Sequence, residues 1–276
     1  MYRLGWFSTG RGKGSRRLLQ AIHESIELGE IEAEVAFVFC NRERGESEAT
    51  DIFLDMVESY HIPLVTFSYQ KFKTSRATQV SARKAALPSW RLHYDREMMA
   101  RLKNFKPDLC ILAGYMLIVE KELCQKYNMI NLHPAAPGGP KGTWQEVIGH
   151  LIKTRAEQTG IMMHLVTPAL DEGPVVTYCT FPLKGRLFDK YWNEITGQSL
   201  EQIEQIDGKT SALFQLIREQ EFARETPLIK ATIKAFSQGK VSITTDKKGI
   251  NSNGKYIAGY DLTNEINEVI KDKFVH

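Results

Sequence analysis

MINLHPAAPGGPKG, residues 129–142, is a short apolar run that meets a proline and stops. Residues 129–133 read as a strand, because a few apolar residues bounded by proline and glycine suit a buried strand better than a helix. Pro134 has no N–H to give to a ladder, so the strand ends there. Side chains alternate along a strand, which sets Asn131 and His133 on one face. In an open α/β sheet, ligands sit just beyond the carboxyl ends of the strands. An amide donor and an imidazole presented together at that edge are equipped to stabilise an oxyanion and to move a proton. A histidine satisfied by purely structural bonds is the competing reading of the same spacing.

Short apolar runs and helical periodicity alternate on both sides of this segment. Strands are expected at 2–7, 35–40, 64–67, 108–116, 160–167 and 175–182, and helices at 15–28, 51–60, 120–127 and 145–154. VAFVFC, 35–40, is apolar without a break, as a parallel strand covered on both faces must be. Residues 71–105 are polar, basic and mostly helical, broken at Pro88. Their Lys71, Lys73, Arg76, Arg83, Lys84 and Arg91 read as a solvated helix face. Strand and helix in alternation imply an open, doubly wound α/β sheet, mainly parallel. After about residue 200 helices dominate, at 201–220, 226–238 and 262–273, with a strand at 241–245. We therefore expect a catalytic domain over 1–200 and a mostly helical C-terminal extension or subdomain over 201–276.

Composition excludes several classes. With 36 Lys and Arg against 33 Asp and Glu, the net charge of +3 does not call for nucleic acid or an anionic membrane as partner. The longest apolar run, 109–119, is too short to span a bilayer. The first residues lack the apolar core and cleavage site of a secretory signal. Cys40, Cys110, Cys124 and Cys179 form no CxxC pair and no metal-ligand spacing with histidine. They are expected as buried thiols of a cytoplasmic protein. A homodimer is one assembly left open.

Two further stretches carry chemistry. STGRGKGSRR, 8–17, links the first strand to the first helix, where free backbone N–H groups and the helix dipole favour an anion. Gly10, Arg11, Gly12, Lys13, Gly14, Ser15 and Arg16 are the candidate phosphate-binding residues; a flexible surface turn is the alternative. Ser15 stands where a dinucleotide fingerprint requires glycine, and the loop does not end as a Walker A motif does. HLVTPALDEGP, 164–174, ends a strand and turns. Asp171 is placed there to orient or charge His133, although Asp, Gly and Pro are also ordinary turn formers.

Taken in order, the glycine-rich loop, ILAGYMLIV (111–119), NLHPA (131–135) and TGIMMHLVTPALDEGPVV (159–176) resemble the folate-dependent formyltransferase family. The marks of that family are Asn-x-His-Pro at a strand end and an Asp in a Leu-Asp-x-Gly loop. The resemblance spans residues 1–185 and implies a Rossmann-like formyltransferase fold. It implies Asn131, His133 and Asp171 as catalytic residues, with 10-formyltetrahydrofolate as co-substrate and no metal. Asn131 and a protonated His133 would form an oxyanion hole, and Asp171 would raise the imidazole's pKa. The pterin pocket would be walled by Tyr115, Met116, Leu117 and Val119 on one side and by Thr167 and Leu170 on the other. The implied acceptor is the amine of a phosphorylated small molecule, glycinamide ribonucleotide first, which is a step of purine biosynthesis.

The chain departs from the family pattern in places. Leu117 stands where the family usually carries an arginine, and Thr143-Trp144-Gln145 replaces a histidine-bearing segment. A nucleotide sugar or methionyl-tRNA therefore stays open as acceptor. A tRNA enzyme would need a C-terminal RNA-binding domain, yet residues 206–276 hold 11 Lys and Arg against 9 Asp and Glu. Hydrolysis of formyltetrahydrofolate and non-catalytic binding of folate or phosphate are the other classes. His164, on the strand leading to Asp171, matches a family histidine and reads either as lining the site or as core.

Overall fold

The unbroken apolar runs become central strands with neither face in water. The computed structural model describes residues 1–77, 90–195 and 211–271. Its strands are β1 (Tyr2–Ser8), β2 (Ala33–Cys40), β3 (Leu64–Thr66), β4 (Leu109–Leu112), β5 (Met129–His133), β6 (Gln158–Leu165), β7 (Val175–Pro182), β8 (Val241–Ile243), β9 (Ile250–Ser252), β10 (Lys255–Ile257) and β11 (Tyr260–Asp261). Eight of them form one sheet in the order β11-β7-β6-β5-β4-β1-β2-β3, and β8 to β10 form a small antiparallel sheet. In the large sheet only β6 runs against its neighbours.

The helices are α1 (Lys13–Glu27), α2 (Glu48–Ser59), α3 (Tyr69–Ala77), α4 (Trp90–Arg101), α5 (Lys121–Lys126), α6 (Trp144–Lys153), α7 (Asp189–Glu194), α8 (Ala212–Ser237) and α9 (Thr263–Lys271). Alternate strand side chains divide between two cores, as the period of two requires. Leu4, Trp6, Val38, Cys40, Ile111 and Ile130 pack with residues of α1, α2 and α8. Phe7, Phe37, Phe39, Cys110, Leu112 and Met129 pack with Tyr94 and Met98 of α4 and Leu123 of α5. This is the doubly wound, mainly parallel arrangement expected, with a helical C-terminal segment. Local signals set helix starts. The Ser47 hydroxyl accepts from Thr50 N–H at α2, and Thr143 and Glu146 form a capping box at α6.

The structure differs from expectation in three places. The strand expected over 108–116 stops at Leu112, and β6 stops at Leu165 rather than 167. Gly114 explains the first, since it takes φ +71°, outside the range of a ladder. A side chain there would also meet the Ser15 hydroxyl, 2.4 Å from an added Cβ. The two helices expected at 201–220 and 226–238 are, from Ala212 onward, one helix that runs through Pro227. A proline inside a helix costs about 3 kcal/mol. Burial of Leu228, Ile229 and Ile233, all fully enclosed, contributes about 1.5–3 kcal/mol each and outweighs it. Pro88 and residues 201–210 lie outside the described residues.

The C-terminal segment is joined to the sheet. Tyr260 of β11 pairs with Thr177 of β7, and α8 lies against β6 and β7. Lys247, in the turn between β8 and β9, donates to the carbonyls of Cys124, Gln125 and Tyr127 at 2.8–2.9 Å, and so caps the end of α5. All four cysteines are free thiols; Cys40, Cys110 and Cys179 are buried and Cys124 is half-buried. Among the described residues no helix is long and apolar enough to cross a membrane.

Glu221 of α8 is fully enclosed, and neither of its carboxyl oxygens has a hydrogen-bond partner. Arg218 Nη1 stands 3.7 Å away. Burial outweighs that cation and pushes the Glu221 pKa well above the usual carboxylate range. The folded state then keeps a proton that the unfolded chain has released, so this group removes stability as pH rises above the ordinary glutamate range. E221Q lacks the penalty. In thermal melts between pH 5 and 9, its stability relative to wild type should rise steadily with pH. A constant difference would mean that the carboxyl is ionised in the native state.

Candidate active site

The sheet has its topological switch between β1 and β4. From β1 the chain proceeds to β2 and β3 on one side, and from β4 to β5 on the other. The loops after β1 and β4 therefore part at that edge and open a crevice. β5 ends beside it, and its Asn131 stands directly across from His164 of β6. Asn131 Nδ2 lies 3.3 Å from His164 Nε2. The other ring nitrogen, Nδ1, is 2.9 Å from the Leu165 carbonyl. A carbonyl can only accept, so Nδ1 carries the proton and Nε2 is left between the Asn131 amide and Asp171 Oδ1, 3.4 Å away. His133 is arranged the other way round. Its Nε2–H donates to the Pro140 carbonyl at 2.9 Å, and its Nδ1 stands 3.7 Å from Asp171 Oδ2. One carboxylate thus stands between two buried imidazoles.

Asp171 reaches this position because its loop bends sharply. The β6–β7 register shifts at Met163 and His164. Asp171 itself takes φ +53°, a left-handed conformation that Asp tolerates better than most residues. Gly173 must lack a side chain, since a Cβ there would lie 1.7 Å from the Leu165 carbonyl oxygen. That oxygen's own residue donates its N–H to Pro174 O at 2.8 Å, which closes the turn. From the opposite loop Gly142 N–H reaches Asp171 Oδ2 at 3.4 Å, and Lys141 pairs with Glu172 at 2.7 Å.

Burial decides the charge state of His133, which is 2% exposed. It lowers the pKa below the usual histidine value, against the raising influence of the Pro140 carbonyl and of Asp171. The expected imidazolium is therefore not the resting form; the ring is neutral at neutral pH. For Asp171 the balance is reversed. Burial acts to raise its pKa, but the bond to His164, the nearness of His133 and the Gly142 N–H together hold it below the ordinary value.

Asn131, His164 and Asp171 line a cavity of about 60 Å³ together with Leu112, Tyr115, Leu117, Ile118, Val119, Val166, Thr167, Ala169 and Leu170. Five of the six expected pterin-wall residues are there. Met116 is not; it is 64% exposed. His133 lies behind the cavity rather than on it. A larger hollow of about 250 Å³, lined by Cys124, Met129, Pro168, Ile243 and Lys247 among others, shares Val166 and Thr167 with it. The glycine-rich loop enters α1 with Gly12 at the cap position and no side-chain cap, and Arg11 and Lys13 are exposed. Arg16 is engaged elsewhere, on the Ala49 carbonyl at 3.1 Å. Arg17 pairs with Glu225 and stacks on Phe222. Among the described residues no group of three or more His, Cys, Asp or Glu is arranged to hold a metal.

A family model described as formyl transferase matches residues 11–184. The chain belongs to that family. Phosphoribosylglycinamide formyltransferase of Escherichia coli (strain K12) is 27% identical over 175 residues, covering 62% of this chain and 70% of that protein. Methionyl-tRNA formyltransferase of a Wolbachia strain from Drosophila simulans is 33% identical over 78 residues, 28% of this chain and 25% of that one. Among solved structures, phosphoribosylglycinamide formyltransferase of Coxiella burnetii has a TM-score of 0.64 at 18% identity over 94% of this chain and 98% of that one, a likeness of fold. The formyl transferase match takes in β5 and the Asp171 loop and ends before α8.

The sequence leaves His164 open between site and core, and it carries no sign of the Pro140 carbonyl. The signal for His164 was its place near the end of a strand whose next loop holds Asp171. Nothing in PGGP told which carbonyl would turn inward. Two outcomes follow from the geometry. In an NMR titration the His133 ring should titrate below the ordinary histidine value, and further down in D171N, where the raising influence of the carboxylate is gone. An unmoved midpoint in D171N would separate the two groups. G173A should destabilise by on the order of 1–3 kcal/mol or more, because the clash is with backbone, and thermal denaturation reads it directly.

Proposed function

We propose that this chain transfers a formyl group from 10-formyltetrahydrofolate to the amine of a phosphorylated small molecule, with glycinamide ribonucleotide the first acceptor to test. The observation that carries the reading is the convergence of Asn131, His164 and Asp171 on a slot otherwise lined mainly by apolar side chains. The donor supplies a formyl carbon on a nitrogen that can leave. As an amine attacks that carbon, negative charge grows on the formyl oxygen and positive charge on the amine.

Asn131 Nδ2–H is a fixed dipole for that oxygen. Its backbone is held in β5 between β4 and β6, so little reorganisation accompanies charge development. The amine must lose a proton. Asp171, held ionised and lining the cavity, is placed to receive it, and neutral His133 behind it offers an unprotonated Nδ1. The same groups can return a proton to the departing nitrogen. Burial keeps water from competing for these positions.

On the acceptor side, the uncapped start of α1 with Arg11 and Lys13 beside it supports a phosphate site. Arg16, expected to join them, is the residue least free to do so. Leu117 keeps the donor side apolar where the family usually carries a cation, so donor affinity should depend less on salt than a charge-paired site would.

The test is release of tetrahydrofolate from 10-formyltetrahydrofolate with and without glycinamide ribonucleotide. Acceptor-dependent release is expected, lowered by on the order of 10²–10³-fold in kcat by N131A. H133A should lose more above the His133 pKa, where the wild-type ring is neutral and accepts a proton, than below it, where the wild-type ring is already protonated. Release without acceptor would mean hydrolysis. Donor binding with no turnover on any phosphorylated amine would overturn the acceptor assignment.

A further inference from the structure

Residues 113–120, which wall the cavity on one side, have no regular secondary structure, so their backbone groups need partners from elsewhere. Ala113 N–H donates to Phe7 O at 3.0 Å, and Gly114 O accepts from Thr9 N–H at 3.0 Å. Further along, Met116 N–H donates to the Thr9 hydroxyl at 3.1 Å, and Glu120 N–H to Asp95 Oδ2 at 2.8 Å. The wall is therefore pinned by two side chains. Asp95 of α4 holds its far end. Thr9, 2% exposed, holds its near end, one residue before Leu117 enters the cavity.

Thr9 is also the residue that leads into the glycine-rich loop. Gly10 N–H bonds back to Ser8 Oγ at 3.2 Å, and the Thr50 hydroxyl reaches Thr9 O at 3.5 Å. A second contact reinforces the first. Ser15, in the first turn of α1, packs so closely on Gly114 that a Cβ there would stand 2.4 Å from its hydroxyl. Loop and wall thus meet at residues 114 and 116, through backbone, through the Thr9 hydroxyl and through Ser15.

We propose that Thr9 is a positioning residue whose hydroxyl couples the glycine-rich loop to the cavity wall, so that an oxyanion held at the loop tightens binding of a folate in the cavity. This rests on the reading that the cavity takes the folate and the loop the acceptor's phosphate. An anion that orders residues 10–14 also fixes Thr9, and Thr9 fixes the Met116 amide. Linkage is reciprocal, so a bound folate tightens the anion by the same factor. The device favours loading of both substrates over either alone.

The experiment is calorimetric titration of the full chain with tetrahydrofolate, in the absence and in the presence of saturating inorganic phosphate. Wild type should bind tetrahydrofolate at least about fivefold more tightly with phosphate present, the lower end of ordinary coupling. T9V, which keeps the shape and loses the acceptor, should bind each ligand separately but without the enhancement, and T9S should restore it. D95A should weaken tetrahydrofolate binding with and without phosphate alike and leave the ratio intact, because it loosens the wall without touching the link. Should T9V fail to fold, T9A carries the comparison. An enhancement that persists in T9V, or its absence in wild type when both ligands bind, overturns the proposal. Failure of wild type to bind tetrahydrofolate at all overturns the cavity reading itself, and the coupling with it, and is seen before any variant is compared.

Discussion

A single carboxylate shared between two buried imidazoles is the constraint around which this molecule is arranged. Asp171 touches His164 with one oxygen and faces His133 with the other. To get there, its loop must double back, because β6 runs against its neighbours and ends beside the start of β5 rather than its end. The left-handed turn at Asp171, the missing side chain at Gly173 and the register shift at His164 all serve that reversal. Conformations of this kind cost on the order of 1–3 kcal/mol and persist where their surroundings over-determine them. Here the surroundings are a full ladder on both sides of β6 and the clasp of the 139–142 loop.

Much of this is legible in the amino-acid sequence. The strand end at His133, the shared face of Asn131 and His133 and the doubly wound order follow from a period of two and from proline's missing N–H. Position in an α/β sheet then points to the site. What sequence could not supply was burial. The resting charge of His133 depends on how far it is enclosed, a sum over residues from many segments, and local spacing carries no record of it. The single helix through Pro227 is of the same kind: the proline's cost is local, and the burial that exceeds it is tertiary. Resemblance assigns Met116 to the wall with the rest of 115–119. The chain leaves strand geometry at Gly114, so consecutive residues Leu117, Ile118 and Val119 line the cavity while Met116 turns to solvent, a local twist that the sequence does not display.

The C-terminal segment takes part in the same architecture. β11 extends the large sheet, α8 covers β6 and β7, and Lys247 closes the carbonyl end of α5, the short helix that follows the cavity wall. The family match ends at residue 184, yet the residues beyond it buttress both the strand that carries His164 and the helix that follows Val119.

The cysteines carry a practical consequence. Burial pushes the thiols of Cys40 and Cys124 up to about 11 and that of Cys179 to about 12, while Cys110 is raised further still. So few thiolates at neutral pH leave little for oxidants or alkylating reagents to attack. Cys124 alone is not fully buried, and it borders the larger hollow next to the Lys247 cap. With the other three thiols shielded, it is the one that a thiol reagent would reach at alkaline pH, and a fluorophore there would report on the far side of the Val166–Thr167 backbone as the site fills.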